Sequence, residues 1–478
     1  MTPTPTPLPQ GEEKPSSPSL PTPMRVVIIG GGFSGVMVAT QLLRLAQNPL
    51  VITLIEPRSL LGRGLAYSTV HENHLLNVPA ERMSAFPDDP GHFLHWLSQR
   101  RSDHAGSFVP RKLYGVYVQA VLEAAINEAP AHARIEWIPS EAVALLPQEG
   151  RAVVRLGNGQ TVQADRIVLA PGHFPSGDPA VADGAFYRSR RYIGQVWGPD
   201  TLNHLTPTDA VLLIGSGLTM VDIVLALHAQ GHQGVIHVIS RHGLLPQSHQ
   251  SSTPYPSFLK VPEKPTTLRT LLRRVRQEIG AATLLGRDWR AVIDALRPQT
   301  QALWQVLPLK EQQRFLRHLR PYWDIHRHRA APEVATVIDQ LRRSQQLQIH
   351  AGRINAYQEH SDSVCVSYQP RRGSGLARVE VSRVINCTGP NGDYRQIEHP
   401  LIRDLLTSGR VRPNPLNLGL DTDTEGRLLN AQGKASSLLL YTLGPPRQGG
   451  LWETMAVPEI RVQAQSLAQS LLISGCAR

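Results

Sequence analysis

The sequence predicts an α/β chain of two Rossmann-like units, one inserted in the other, with a β-meander in the first and a helical insertion in the second. Three observations predict it. A β-branched run from Met24 to Ile29 ends in Gly30, Gly32 and Gly35, an apolar stripe at helical spacing follows, and a second run closes on Glu56. The same logic recurs from Ala210 through Gly215 and Gly217, and its next strand closes on Ser240 and Arg241. From 256 to 345 the periodicity is helical over a length that no simple connection needs.

In the first unit each residue has a physical task. Gly30 permits the tight turn off the strand, Gly32 offers no side chain to block a pyrophosphate, and Gly35 lets the helix pack close to the sheet. The backbone N–H groups around Phe33 and Ser34, with the positive end of the helix dipole, then face the phosphates. Glu56 stands about 20 residues beyond the last glycine, where a carboxylate accepts from a ribose 2′-hydroxyl and repels a 2′-phosphate. The first site is therefore expected to take FAD or NAD rather than NADP.

In the second unit Gly215, Ser216, Gly217 and Thr219 form the turn, and Met220 stands where the first unit has its third glycine. Met220 should hold the helix off the sheet. Ser240 and Arg241 replace the acid, so a 2′-phosphate would be bound through charge-assisted hydrogen bonds. FAD is expected at the first site and NADPH at the second, with NADH as the alternative.

Composition bounds the rest. A chain of 478 residues is too long for a single core, and its 41% hydrophobic content suits a globular enzyme. The formal charge of +11 comes without a basic tail or interleaved aromatics, so no nucleic-acid partner is expected, and phosphorylated cofactors with an anionic small-molecule substrate account for it equally well. Cys365, Cys387 and Cys476 show no CxxC spacing, which argues against a disulfide framework, a redox dithiol or a zinc site. No metal site is expected. No apolar run suits a membrane span and no signal-peptide pattern opens the chain, so the expectation is a cytoplasmic protein without a membrane partner.

Taken in order, residues 1–23 are a Pro, Thr and Ser-rich leader expected to be disordered. Gly62 and Gly64 lie in a loop that permits close backbone approach, and polar turns around His74, Asn77 and Asp88 lead into helix ending near Ala133. From Ala133 to Ala170 short alternating runs read as a β-meander, with Gly157-Asn158-Gly159 as a hairpin turn. A buried strand then leaves through Ala170-Pro171-Gly172.

These residues resemble a family, the bacterial FAD/NAD(P)-binding proteins related to flavin-dependent monooxygenases and pyridine-nucleotide reductases. Gly62 to Ser68, His74 to Pro79 and Asp88 to Trp96 carry the likeness. It implies a discontinuous FAD domain, 24–200 and 391–478, around an NAD(P) domain, 201–390, with the helical insertion at about 256–345. It also implies that the exits at Gly172 and Gly389 and the loop at Gly450 approach the flavin.

In the insertion the cluster from Asp324 to Arg329 is expected to face the cofactor cleft, with His326 and Arg329 nearest the chemistry. The activity expected is reduction of FAD by NADPH, followed by oxygen transfer to a small polar substrate with molecular oxygen as co-substrate. A reductase without oxygen insertion and a non-catalytic redox sensor remain the alternatives.

Overall fold

The computed structural model describes residues 22–100, 105–148, 150–198 and 201–473. Most of the expected leader, residues 1–21, and Cys476 lie outside them. The first sheet has five parallel strands in the order Leu440–Thr442, Arg166–Leu169, Met24–Ile29, Leu50–Ile55 and Ala133–Ile138. Its central strand is buried from Val26 onward because helices cover one face and the three-stranded meander covers the other, which is why that stretch reads as a continuous apolar run. The helix Phe33–Leu45 lies against the sheet and is itself covered by Val457–Ile473 from the far end of the chain.

One strand differs from expectation. Ala133–Ile138 belongs to this parallel sheet, paired with Leu50–Ile55, and is not part of the meander. As an edge strand it is only half covered, so its burial alternates and its sequence imitates an antiparallel strand. The meander is Ala142–Gln148, Arg151–Leu156 and Thr161–Ala164, and the last two join through the expected glycine turn. The helix Pro400–Thr407 packs on it.

The second sheet has seven strands in the order Ala377–Val381, Val364–Pro370, Leu347–Glu359, Ile236–Ser240, Val211–Ile214, Arg383–Asn386 and Tyr192–Ile193. Leu347–Glu359 pairs in parallel with Ile236–Ser240 over its first residues, then runs on to pair antiparallel with Val364–Pro370. The helix Leu218–Ala229 is buried from Met220 to Leu227, a run that is apolar except for Asp222. Pro332–Arg343, at the end of the helical stretch, packs on it through Val334, Ile338 and Leu341 and is the crossover helix of this unit. The insertion proper thus runs from Leu268–Leu284 through Trp289–Leu296, Thr300–Val306 and Leu309–His318 to Arg320–Arg327. Among the described residues no helix is long and apolar enough to cross a membrane.

Candidate functional site

The two glycine turns are built alike. Gly30 N–H donates to Ile55 O at 2.9 Å and Ala170 N–H to Ile29 O at 2.8 Å; in the second unit Gly215 N–H donates to Ile239 O and Cys387 N–H to Ile214 O, both at 2.8 Å. Gly30 has φ +106° and Gly215 φ +98°, backbone that a side chain rarely adopts. A Cβ on Gly30 would stand 2.2 Å from Ala170 O, and one on Gly215 2.7 Å from Cys387 O. Each turn therefore fixes the strand on its far side as well as its own.

Beyond those contacts the space is open. A Cβ at Gly172, Gly217, Gly389 or Gly450 would meet nothing within 4 Å, and one at Gly32 only the backbone of Gly64 at 3.4 Å. Gly35 is different, since its Cβ would come within 1.9 Å of Gly30 O. The helix of the first unit thus sits directly on its turn, as the third glycine predicts. Gly444, just past the strand Leu440–Thr442, closes this end: a Cβ there would lie 3.0 Å from Ser34 Oγ. This cradle at the strand ends, floored by glycines and headed by a helix N-terminus, fits a dinucleotide.

Glu56 is 3% exposed and accepts Gly31 N–H at 2.8 Å. It also accepts Arg58 N–H at 3.1 Å and Arg58 Nε–H at 2.8 Å. Burial pushes its pKa up, but Arg58 and these N–H groups prevail and hold it below the usual carboxylate range. Arg58, which the sequence reading missed, is half exposed and can cede its bonds to a ribose hydroxyl.

In the second unit Ser216 Oγ lies 2.8 Å from Ser240 Oγ and 2.6 Å from Leu244 O, and Ser240 Oγ accepts Gly243 N–H at 3.0 Å. Ser240 is thereby part of the turn, as Glu56 is in the first. Arg241 is exposed and has no ion-pair partner among the described residues. Thr219 lies partly exposed in the first turn of the helix beside it. Arg371 contacts the His242 ring, and Tyr322 of the insertion packs on that ring with centroids 5.8 Å apart.

The arginines of the expected basic cluster are paired within the fold. Arg329 is 2% exposed and ion-paired with Asp294 of the insertion, and Arg327 pairs with Glu453 at 3.5 Å. Both guanidiniums are committed within the fold, because an arginine this deeply buried needs a countercharge. His326 Nδ1 lies 2.7 Å from Tyr322 O, and its ring packs edge-on against Trp289. Burial holds His328 below the ordinary histidine range. Among the described residues neither Arg327 nor Arg329 is free to bind an anionic substrate, and His326 lines a pocket of the insertion.

What the insertion does touch is the loop after Gly444. Trp304 Nε1–H donates to Gly449 O at 2.8 Å, Trp323 Nε1–H to Glu453 Oε1 at 2.9 Å, and Arg297 pairs with Glu459 at 2.9 Å. Trp452 stacks on Trp304 with ring centroids 5.1 Å apart. The units are further joined by Arg111, whose two terminal nitrogens hold Asp222 at 2.7 and 3.2 Å, and by His74 Nε2, 2.9 Å from Asp222 O. The one acid in the apolar run of the second helix was a signal for that clamp in the sequence.

Residues 27–174 match the family model described as FAD-NAD(P)-binding. No curated protein matches the chain in sequence. Among solved structures it is similar to the ornithine N-hydroxylase of Kutzneria sp. 744, solved with reduced FAD, NADP+ and L-ornithine, at 14% identity and TM-score 0.61 over 95% of this chain and all of that one. It is similar to a cadaverine monooxygenase from Erwinia amylovora bound to FAD, at 13% identity and TM-score 0.61 over 94% of each chain. The bacillithiol disulfide reductase of Bacillus cereus aligns over 95% of this chain and all of that one, at 12% identity and TM-score 0.55. At such identities the likeness shows the two-dinucleotide fold, as the glycine turns and the resemblance led one to expect.

Proposed function

With residues 27–174 as an FAD-NAD(P)-binding domain, we propose that this chain is a flavin-dependent oxidoreductase in which NADPH at the second turn reduces FAD at the first, and that it is a monooxygenase of a small molecule. The observation that carries the pairing is the contrast at matched strand ends. Glu56 is buried and anionic, while Arg241 is exposed and unpaired among the described residues.

The chain's own contribution is binding and orientation. The Gly30 to Gly35 turn holds a pyrophosphate on the N-terminus of its helix, and Glu56 accepts from the ribose. Gly215 to Thr219 do the same for the second dinucleotide, and Arg241 meets its 2′-phosphate. The flavin, when bound, supplies hydride acceptance and the reaction of its reduced form with oxygen. Support for oxygen transfer over simple reduction comes from the insertion, which packs on the loop after Gly444 through the stacked Trp304 and Trp452.

The test is the visible spectrum of the purified holoprotein. Anaerobic NADPH should bleach the flavin, and air should then bring up a transient spectrum, neither oxidised nor reduced, before the oxidised one returns. Direct reoxidation with peroxide equal to the NADPH consumed would reject oxygen transfer and leave a reductase. Failure of NADPH to bleach the flavin would reject the pairing and favour a redox sensor.

A further inference from the structure

The insertion lines a half-open cavity of about 740 Å³. That is within the range of about 300–1,000 Å³ found for small-molecule sites. One wall is the helix Leu268–Leu284, which offers Leu272, Val275 and Ile279; the opposite wall holds Trp289, Trp304 and Trp452. Trp452 stands two residues after Gly450, and the turn that begins this loop lies against Ser34 of the first dinucleotide cradle. The cavity thus borders the loop that closes the flavin side.

Its lining is apolar for a structural reason. Trp304 and Trp323 send their N–H groups outward to Gly449 O and Glu453, so their carbon faces are turned to the cavity. The charges behind the walls, Arg297 with Glu459, Arg327 with Glu453 and Arg329 with Asp294, neutralise one another. Among the described residues Arg276 is the only Arg or Lys in the lining and is exposed at the surface, and Thr300, Tyr322 and His326 are the remaining polar side chains besides the tryptophans. An amino acid or a diamine brings charges that need buried countercharges, and the cavity has none to spare. A hydrocarbon body needs no countercharge, and its transfer out of water is favourable.

We infer that this cavity is the substrate chamber and that the substrate is an uncharged, predominantly hydrocarbon small molecule, unlike the charged amino acids and amines named for the structural neighbours. This rests on the oxidoreductase reading, with the chamber placed beside its flavin. In place of the expected small polar or anionic substrate the lining favours an apolar one, because Arg327 and Arg329 are paired with Glu453 and Asp294.

The test uses the full-length holoprotein and the uncharged fluorophore N-phenyl-1-naphthylamine. The probe should bind and be displaced by 1-dodecanol but not by L-ornithine, L-lysine or cadaverine. Ile279→Arg and Leu272→Arg, each on the partly exposed wall, should weaken the probe at least tenfold. The flavin-to-protein ratio serves as the check on folding, and Leu284→Arg, exposed outside the lining, should leave the probe unaffected. No probe binding, or unchanged binding in both wall variants, would overturn the inference, as would displacement by the amino acids. These readouts need no turnover, so failure of NADPH to bleach the flavin would sink the oxidoreductase reading and leave the chamber to be decided on binding alone.

Discussion

The two glycine turns share a backbone but differ in what presses on it. The residue ahead of each helix has nearly the same conformation, φ −74° and ψ −169° at Gly32, φ −84° and ψ −167° at Gly217. Three residues on, Gly35 leaves no room for any side chain, whereas Met220 is fully buried among Val211, Leu213 and Val238. The first helix rests on backbone, the second on a thioether. Strand ends and turn can therefore be repeated within one chain while the helix is held by two different means.

The harshest way to break the comparison is to make the first turn like the second. Gly35→Met places a side chain where even a Cβ would be 1.9 Å from Gly30 O. The expected result is loss of flavin and destabilisation above about 4 kcal/mol, the range reserved for severe steric damage. The flavin-to-protein ratio and urea unfolding measure it. A variant that purifies with a full complement of flavin would show that the close packing of Gly35 is incidental.

The turns were legible because their geometry is local. Gly30, Gly32 and Gly35 are needed for reasons that act within one strand and one helix, and a sequence displays such reasons directly. The edge strand Ala133–Ile138 was misread because half burial looks the same in a parallel edge and in a meander. The cluster from Asp324 to Arg329 was recognised as charged and conspicuous, but its partners Asp294 and Glu453 are distant in sequence or in another domain, so nothing in the stretch itself said that its charges were spent. Arg58 and Gly444 escaped for a related reason: they act through Glu56 and Ser34, and only folding brings them there. The cavity was invisible altogether, since a leucine-rich amphipathic helix reads the same whether its apolar face meets another helix or a ligand.

The reverse exchange has a moderate expected effect. Met220→Ala should cost about 2–5 kcal/mol, the usual penalty for truncating a buried methionine. It should shift the urea midpoint at constant slope and leave the flavin in place, because the first unit does not depend on it. Loss of flavin here would mean that the two turns are coupled, with the Arg111 to Asp222 clamp as the path between them.

The smallest change isolates the chemical difference from the mechanical one. Arg241→Ala touches no turn contact, since Ser240 and Ser216 hold the loop by themselves. A lost charge-assisted hydrogen bond of about 1.5–3 kcal/mol should raise KM for NADPH tenfold or more. NADH lacks the 2′-phosphate, so its KM should hardly move, and the ratio of the two constants reports the contact free of any effect on folding. Equal rises for both would mean that Arg241 steadies the loop rather than reading the phosphate, and that the contrast between the strand ends carries no cofactor preference.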